Sequence, residues 1–172
     1  LIKPYPFENI IALRIDNDWK YKETATGASY RWNNNNFNVN LGGIPKNVYL
    51  HITDKLYQTL PLYSNLKTTG VYVYAKDINI KTASAEIYVE SEIKNEFSTP
   101  KVVELHVNIY DIEGKKVAEF SGNKTSIESG KTSILKVNKL VENLNFWSWG
   151  YGYLYTVKSI LKVDGNVVDE VN

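Results

Sequence analysis

Cysteine and methionine are both absent from the 172 residues, and histidine occurs only twice, as His51 and His106. Without cysteine there is no disulfide framework, no thiolate metal centre and no sulfur nucleophile. Two histidines are too few for the three or four converging ligands of a metal site, so neither metal nor cofactor is expected. The lack of methionine, even at position 1, reads as a processed product or an excised segment. Charge of one sign is missing too: 20 Lys and Arg stand against 19 Asp and Glu, a net charge of +1. That balance argues against a nucleic-acid footprint and a polybasic membrane patch. No apolar run approaches the ~18 to 20 residues of a membrane-spanning helix. The opening LIKPYPFENI lacks the charged and apolar regions of a secretory signal. Neither nucleic acid nor membrane is expected as a partner.

What is present favours strands. Hydrophobic residues make up 43% of the chain and aromatic residues 13%, with 13 Tyr and 4 Trp. A chain of this size can bury roughly 70% of its unfolded surface. β-branched and aromatic side chains suit a pleated surface, and no convincing helical period occurs. Residues 10–16 (IIALRID) are expected as a short strand, and residues 47–53 alternate Val48, Leu50 and Ile52 with Tyr49, His51 and Thr53. Between them lies a long polar stretch with four consecutive Asn and two Trp, too long for an ordinary connection. Residues 54–70 carry Pro61 and Gly70 without a period and read as a connector.

Beyond that connector the alternation is clean. Ala85, Ile87, Val89, Ser91 and Ile93 share one face of a strand, with Glu86, Tyr88, Glu90, Glu92 and Lys94 on the other. Val103, Leu105, Val107 and Ile109 repeat the pattern, with Glu104, His106, Asn108 and Tyr110 outward. The sequence Asp111-Ile112-Glu113-Gly114 turns the chain into a strand over 115–120, and further strands are expected over 132–138 and 153–163. Asp164-Gly165-Asn166 closes a last hairpin into 167–171. The fold class is therefore all-β: an immunoglobulin-like antiparallel β-sandwich of about 100 residues. The expected domains are 1–53, the 54–70 connector and 71–172. The first segment cannot close a sheet alone, because two strands are marginal in water.

Carboxylate pairs come first among candidates for chemistry, since glycosidases hold two of them about 5 to 9.5 Å apart. Asp111 with Glu113 falls in a turn, and Asp169 with Glu170 falls near the terminus, where solvated charges belong. Asp16 with Asp18 enters the long loop and reads first as turn chemistry. His51 and His106 sit on polar strand faces away from other ligands. No nucleophile elbow or phosphate loop is found, so no catalytic residue is assigned. Two clusters remain. Trp32, Asn36, Phe37, Asn38 and Asn40 combine flat apolar rings with amides that donate and accept, which is what sugar hydroxyls require. Trp147, Trp149, Tyr151 and Tyr153 offer either a sugar platform or a surface against a neighbouring domain.

Three motifs carry a resemblance. Asn9-Ile10-Ile11-Ala12-Leu13-Arg14-Ile15-Asp16-Asn17, Gly42-Gly43-Ile44-Pro45-Lys46-Asn47-Val48-Tyr49-Leu50, and Phe146-Trp147-Ser148 with Leu154-Tyr155 resemble glycoside hydrolase family 2 in order and spacing. Pro45 and Lys46 replace the family's usual aromatic and Arg. Residues 149–152 replace its Pro-x-Asn-Pro region. Residues 55–61 and the Asn-rich stretch resemble the β-galactosidase-like branch. The resemblance implies the end of a jelly-roll sugar-binding domain over 1–53, followed by the complete immunoglobulin-like domain. The catalytic barrel, with its acid/base and nucleophile carboxylates, is absent.

The parent implied is a retaining β-glycosidase of bacterial origin, with a periplasmic or secreted location favoured over the cytoplasm. Its implied partners for this chain are the barrel, the remainder of the jelly roll and the carbohydrate substrate. By position in the family, Asn36, Asn38 and Asn40 would contact sugar, with Trp32 and Phe37 stacking beside them. The exposed edge of an incomplete sheet makes an edge-strand dimer a further expectation. Three readings follow: a non-catalytic scaffold segment of a family 2 hydrolase, a free-standing carbohydrate-binding module, and a structural immunoglobulin-like domain.

Overall fold

The computed structural model describes residues 3, 6–15, 43–44, 47–48, 51–61 and 67–172. The chain divides into two units, Leu1–His51 and Ile52–Asn172. In the first unit the Asn9 side chain bonds both backbone groups of Lys3, accepting from its N–H at 2.8 Å and donating to its carbonyl at 2.9 Å. The expected strands at 10–16 and 47–53 do not form at the described residues, which lie outside any strand and are exposed. Alternation assigns faces, but a strand also needs a neighbour to take its backbone N–H and C=O groups. No described strand is paired with them.

Among the described residues the second unit contains nine strands. They are β1 Leu56–Gln58, β2 Val71–Asn79, β3 Ser84–Asn95, β4 Lys101–Tyr110, β5 Lys116–Ser121, β6 Thr125–Ile127, β7 Thr132–Val141, β8 Thr156–Val163 and β9 Asn166–Val171. All pairings are antiparallel. In one sheet β3 is central, with β7 on one edge and β1 and β2 sharing the other. In the second sheet β5 and β6 share one edge of β4, β8 takes the other, and β9 lies beyond β8. The two sheets form the expected immunoglobulin-like β-sandwich, with consecutive strands β3 and β4 crossing between them.

The core follows the period-2 pattern. Val89 and Ile93 of β3, the four inward residues Val103, Leu105, Val107 and Ile109 of β4, Leu135 and Val137 of β7, and Leu161 of β8 are buried together. Leu56 of β1 joins them, so the stretch expected as a connector supplies a strand of the sandwich. β2 carries no clear alternation because its first five residues are apolar or aromatic on both faces, Val71, Val73 and Ala75 on one and Tyr72 and Tyr74 on the other, before Lys76, Asp77 and Asn79. Alternation then gives little contrast.

Polar groups clasp the sheets from within. Buried Gln58 of β1 accepts from Ser91 Oγ of β3 at 2.9 Å and donates to the Ser159 carbonyl of β8 at 3.2 Å. Its backbone N–H donates to Asp169 of β9 at 2.8 Å. Asn95, fully buried at the end of β3, donates to the carbonyls of Ile127 at 2.9 Å and Thr99 at 3.0 Å, and accepts from Phe97 N–H at 2.9 Å. Two glycine positions are sterically fixed. Gly70 has φ +66°, and a Cβ there would lie 2.4 Å from the backbone of Pro61. Asp164 and Gly165 both have positive φ, 49° and 82°, which makes the expected hairpin a two-residue type I′ turn.

Candidate functional site

The turn between β2 and β3, the turn between β4 and β5, and the long β7–β8 connection all lie at one end of the sandwich, by strand register. The β7–β8 connection holds the aromatic cluster. It is pinned at its start by Leu144 N–H donating to the Ala83 carbonyl at 2.8 Å. Asn145 N–H donates to the Tyr155 hydroxyl at 2.7 Å, tying the loop's two arms together. Ser148 and Tyr151 exchange backbone bonds of 3.0 and 2.9 Å around Trp149 and Gly150. Gly150, with φ +78°, supplies the left-handed residue that this tight turn needs. These contacts keep residues 153–155 out of β8, which begins at Thr156 rather than at the expected 153.

The turn lifts Trp149 into solvent, where it is 96% exposed, while Trp147 is 65% and Tyr151 49% exposed. The tyrosines pack on one another instead. Tyr151 and Tyr153 have ring centroids 5.9 Å apart, and Tyr153 and Tyr155 lie 5.1 Å apart with planes inclined at 56°. Behind them opens a slot of about 340 Å³. Val73 and Ala75 of β2, Ile87 of β3, Ile109 of β4 and Val157 of β8 form its walls, with Trp147 and Leu154 at the mouth. Among the described residues, no carboxylate, histidine, lysine or arginine lines it. Such a slot can hold an apolar group or pack against a partner, and its described polar lining is limited to Asn145 and the tyrosines Tyr74, Tyr153 and Tyr155.

The remaining candidates are dispersed. Asp111 Oδ1 accepts from the backbone of Glu113 at 3.1 Å and of Lys115 at 2.8 Å, which is turn chemistry. Asp169 holds Gln58, and Glu170 pairs with Lys158 at 3.0 Å. His51 is exposed, and His106 Nε2 lies 3.2 Å from Glu104. Among the described residues no group of three metal-ligating side chains converges. Trp32, Asn36, Phe37, Asn38 and Asn40 lie outside the described residues, as do Asp16 and Asp18.

A second aromatic set, unremarked in the sequence, occupies the outer face of the first sheet. Tyr74 and Tyr88 are directly paired across β2 and β3 and stack at 5.2 Å with planes 4° apart, while Lys76 sits 4.9 Å above the Tyr88 ring. Tyr74 donates to Glu90 at 2.9 Å, and Lys136 of β7 reaches the same oxygen at 2.9 Å. Lys136 first, then Tyr74, hold the Glu90 carboxyl below its ordinary pKa, and the bond to Glu90 raises that of Tyr74. These rings cover one another's faces, so the set is a cross-strand ladder rather than a platform for sugar. Its signal was legible in principle as three Tyr at strand spacing with Glu opposite.

The described residues of the second unit define a two-sheet immunoglobulin-like β-sandwich with an aromatic end. The sequence profile of glycosyl hydrolases family 2 matches residues 71–172, and the chain belongs to that family. It is 39% identical over 162 residues to a β-glucuronidase of Formosa agariphila, which covers 94% of this chain and 16% of that protein. Among solved structures it resembles a β-glucuronidase from glycoside hydrolase family 2, at 38% identity and a TM-score of 0.64. The likeness covers 69% of this chain and 12% of that one. A putative β-galactosidase from Bacteroides fragilis is similar at 30% identity and a TM-score of 0.57, over 69% of this chain and 17% of the other. The chain thus spans about a sixth of the length of the curated relative it matches.

Proposed function

We propose that this chain is the non-catalytic β-sandwich segment of a family 2 glycosidase, holding the catalytic barrel in place and shaping the approach to it. The observation that carries this reading is the aromatic end: a slot and a rim of exposed tryptophan that hold apolar surface and, among the described residues, no carboxylate or histidine. Solvent-exposed apolar surface of this kind marks a contact with a partner. The domain division proposed is the end of a jelly-roll domain over 1–53, then the sandwich, to which β1 adds a strand. In the parent, hydrolysis of β-linked glycosides would be retaining and rest on barrel carboxylates. A β-glucuronide is favoured over a β-galactoside, because the relatives named β-glucuronidase are 39% and 38% identical and the putative β-galactosidase 30%. Residues 32–40 remain proposed as the stretch that meets the sugar.

The second reading, a free-standing carbohydrate-binding module, draws on the 96% exposure of Trp149. A titration separates the two. The 172-residue chain should bind neither glucuronic acid nor galactose at millimolar concentration, and should hydrolyse no chromogenic β-glucuronide or β-galactoside. The full-length parent should hydrolyse one of them. Millimolar binding by the chain alone, lost in Trp147→Ala or Trp149→Ala, would overturn the scaffold reading in favour of the module.

A further inference from the structure

β7 is the longest open edge of the first sheet, and the residues that flank it on both sides are described. It bonds to β3 through alternate residues. Asn95 N–H donates to the Lys131 carbonyl at 3.0 Å, and the register pairs Lys94 with Thr132. The β7 residues bonded to β3 are therefore Ser133, Leu135, Val137, Lys139 and Val141. Thr132, Ile134, Lys136, Asn138 and Leu140 turn their backbone N–H and C=O groups to the flank of the sandwich, where no described strand pairs with them. Lys139 breaks the pattern of the strand. Paired with Ile87, it belongs to the inward row, in which Leu135, Val137 and Val141 are buried, yet it is exposed. Its Nζ crosses the flank and donates to the Glu119 carbonyl of β5 at 2.9 Å, strapping one sheet to the other. Beyond the strap the flank opens into a groove of about 350 Å³, with Asn123 and Thr125 on one side and Ile134 to Val137 on the other.

We propose that Lys139 guards β7 against antiparallel pairing with the β7 of a second copy of this chain. An open edge is a template for such pairing, and an inward-pointing charge on the edge strand opposes it. The rest of β7 suits a two-fold pairing well. With the free-edge residues bonded to one another, one register sets Ile134 against the copy's Leu140 and Lys136 against the copy's Asn138. Ile134 and Leu140 are both exposed on the outer face and would cover each other. On the inner face the same register sets Val137 against Val137 and Lys139 against Leu135. Pairing would then take the Lys139 ammonium from the Glu119 carbonyl and lay it on apolar surface without a counter-charge. Sliding the copy by one pair, so that Lys136 meets Lys136, replaces that cost with like-charge repulsion. Lys139 thus spoils the one register that the other side chains of the strand favour.

The test follows light scattering and amide hydrogen exchange of the 172-residue chain as its concentration rises. In the native chain the amides of Ile134, Lys136, Asn138 and Leu140 should exchange at rates independent of concentration. In Lys139→Val the chain should dimerise, and those amides should slow by about tenfold as it does. Lys139→Arg keeps a donor for the Glu119 carbonyl and should behave as the native chain. Adding Asn138→Pro to Lys139→Val removes an N–H from the free edge and should restore concentration-independent exchange. Circular dichroism checks that each variant is folded, and Lys139→Thr carries the same expectation should the valine variant unfold. Edge amides of Lys139→Val that exchange no more slowly at high concentration would overturn the proposal. So would equal slowing in Lys139→Arg, or in the variant that also carries Asn138→Pro. Concentration-dependent protection of these amides in the native chain would overturn it too, since β7 would then be an interface that Lys139 does not guard.

Discussion

Replacing Asn95 by Ala should be among the most damaging single changes in the sandwich, although it deletes only a small amide. The side chain is fully buried. It satisfies the carbonyls of Ile127 and Thr99 and the N–H of Phe97 with bonds of 2.9, 3.0 and 2.9 Å. Asn95→Ala strands three backbone groups, of which the Ile127 carbonyl contact is buried and the other two are part-buried. At about 1–3 kcal/mol for each unsatisfied buried group, discounted for the two that water can reach, the loss is about 3 kcal/mol. With a urea m-value on the order of 1.3 kcal/mol/M, the unfolding midpoint should fall by about 2 M. Far-ultraviolet circular dichroism is the suitable readout, because Trp147 and Trp149 sit in solvent and report the loop rather than the core. Asn95→Asp sharpens the test: it keeps the acceptor for Phe97 but turns a carboxylate oxygen towards carbonyls, and should be no more stable than the alanine variant at pH 7. A midpoint shift below about 0.5 M for Asn95→Ala, or an aspartate variant as stable as the parent chain, would refute the reasoning.

Gly70→Ala should cost about 2–3 kcal/mol in the same assay, because its Cβ would collide with the Pro61 backbone while φ stays at +66°. Gln58→Leu removes the acceptor for Ser91 and the donor to Ser159, and should lower stability by about 2 kcal/mol, read as a fall in Tm. Glu90→Gln should flatten the acid limb of the stability profile. The Glu90 carboxyl is held below its ordinary pKa by Lys136 and Tyr74, so its stabilisation is present above pH 4.5 and fades as pH falls through the depressed value. An unchanged acid limb would show that the ladder contributes nothing. Trp149→Ala should leave the unfolding free energy of this chain unchanged within about 0.5 kcal/mol, since the ring is 96% exposed; a larger loss would mean that the ring has a packing partner in the folded domain.

The legible parts of the fold were those in which burial falls on one face alone. β3 and β4 announced themselves because Val89, Ile93, Val103, Leu105, Val107 and Ile109 alternate with charged or polar neighbours, and all six are buried. The Asp164-Gly165 turn was legible because few sequences favour two consecutive positive φ values. β1 and β6 were not, since three residues carry no period. Residues 10–15 show the opposite error, an apolar run that no described strand pairs with. At the candidate site the aromatic cluster stood out by composition. The slot beside it did not, because its walls come from β2 and β8, about 80 positions apart in sequence.

The clasp at Gln58 has a consequence for the order of events in folding. β3, β4 and their hairpin neighbours are joined by short turns and can pair early, since closing a short loop costs little conformational entropy. The bonds from Gln58 to Ser159 and Asp169 span 101 and 111 residues. Contacts of that separation are the slow ones to form. β1 should therefore dock late, onto a sandwich already assembled, and be among the first segments to open in the native state. Leu56, otherwise shut inside the core, would then be the first of its residues to meet water.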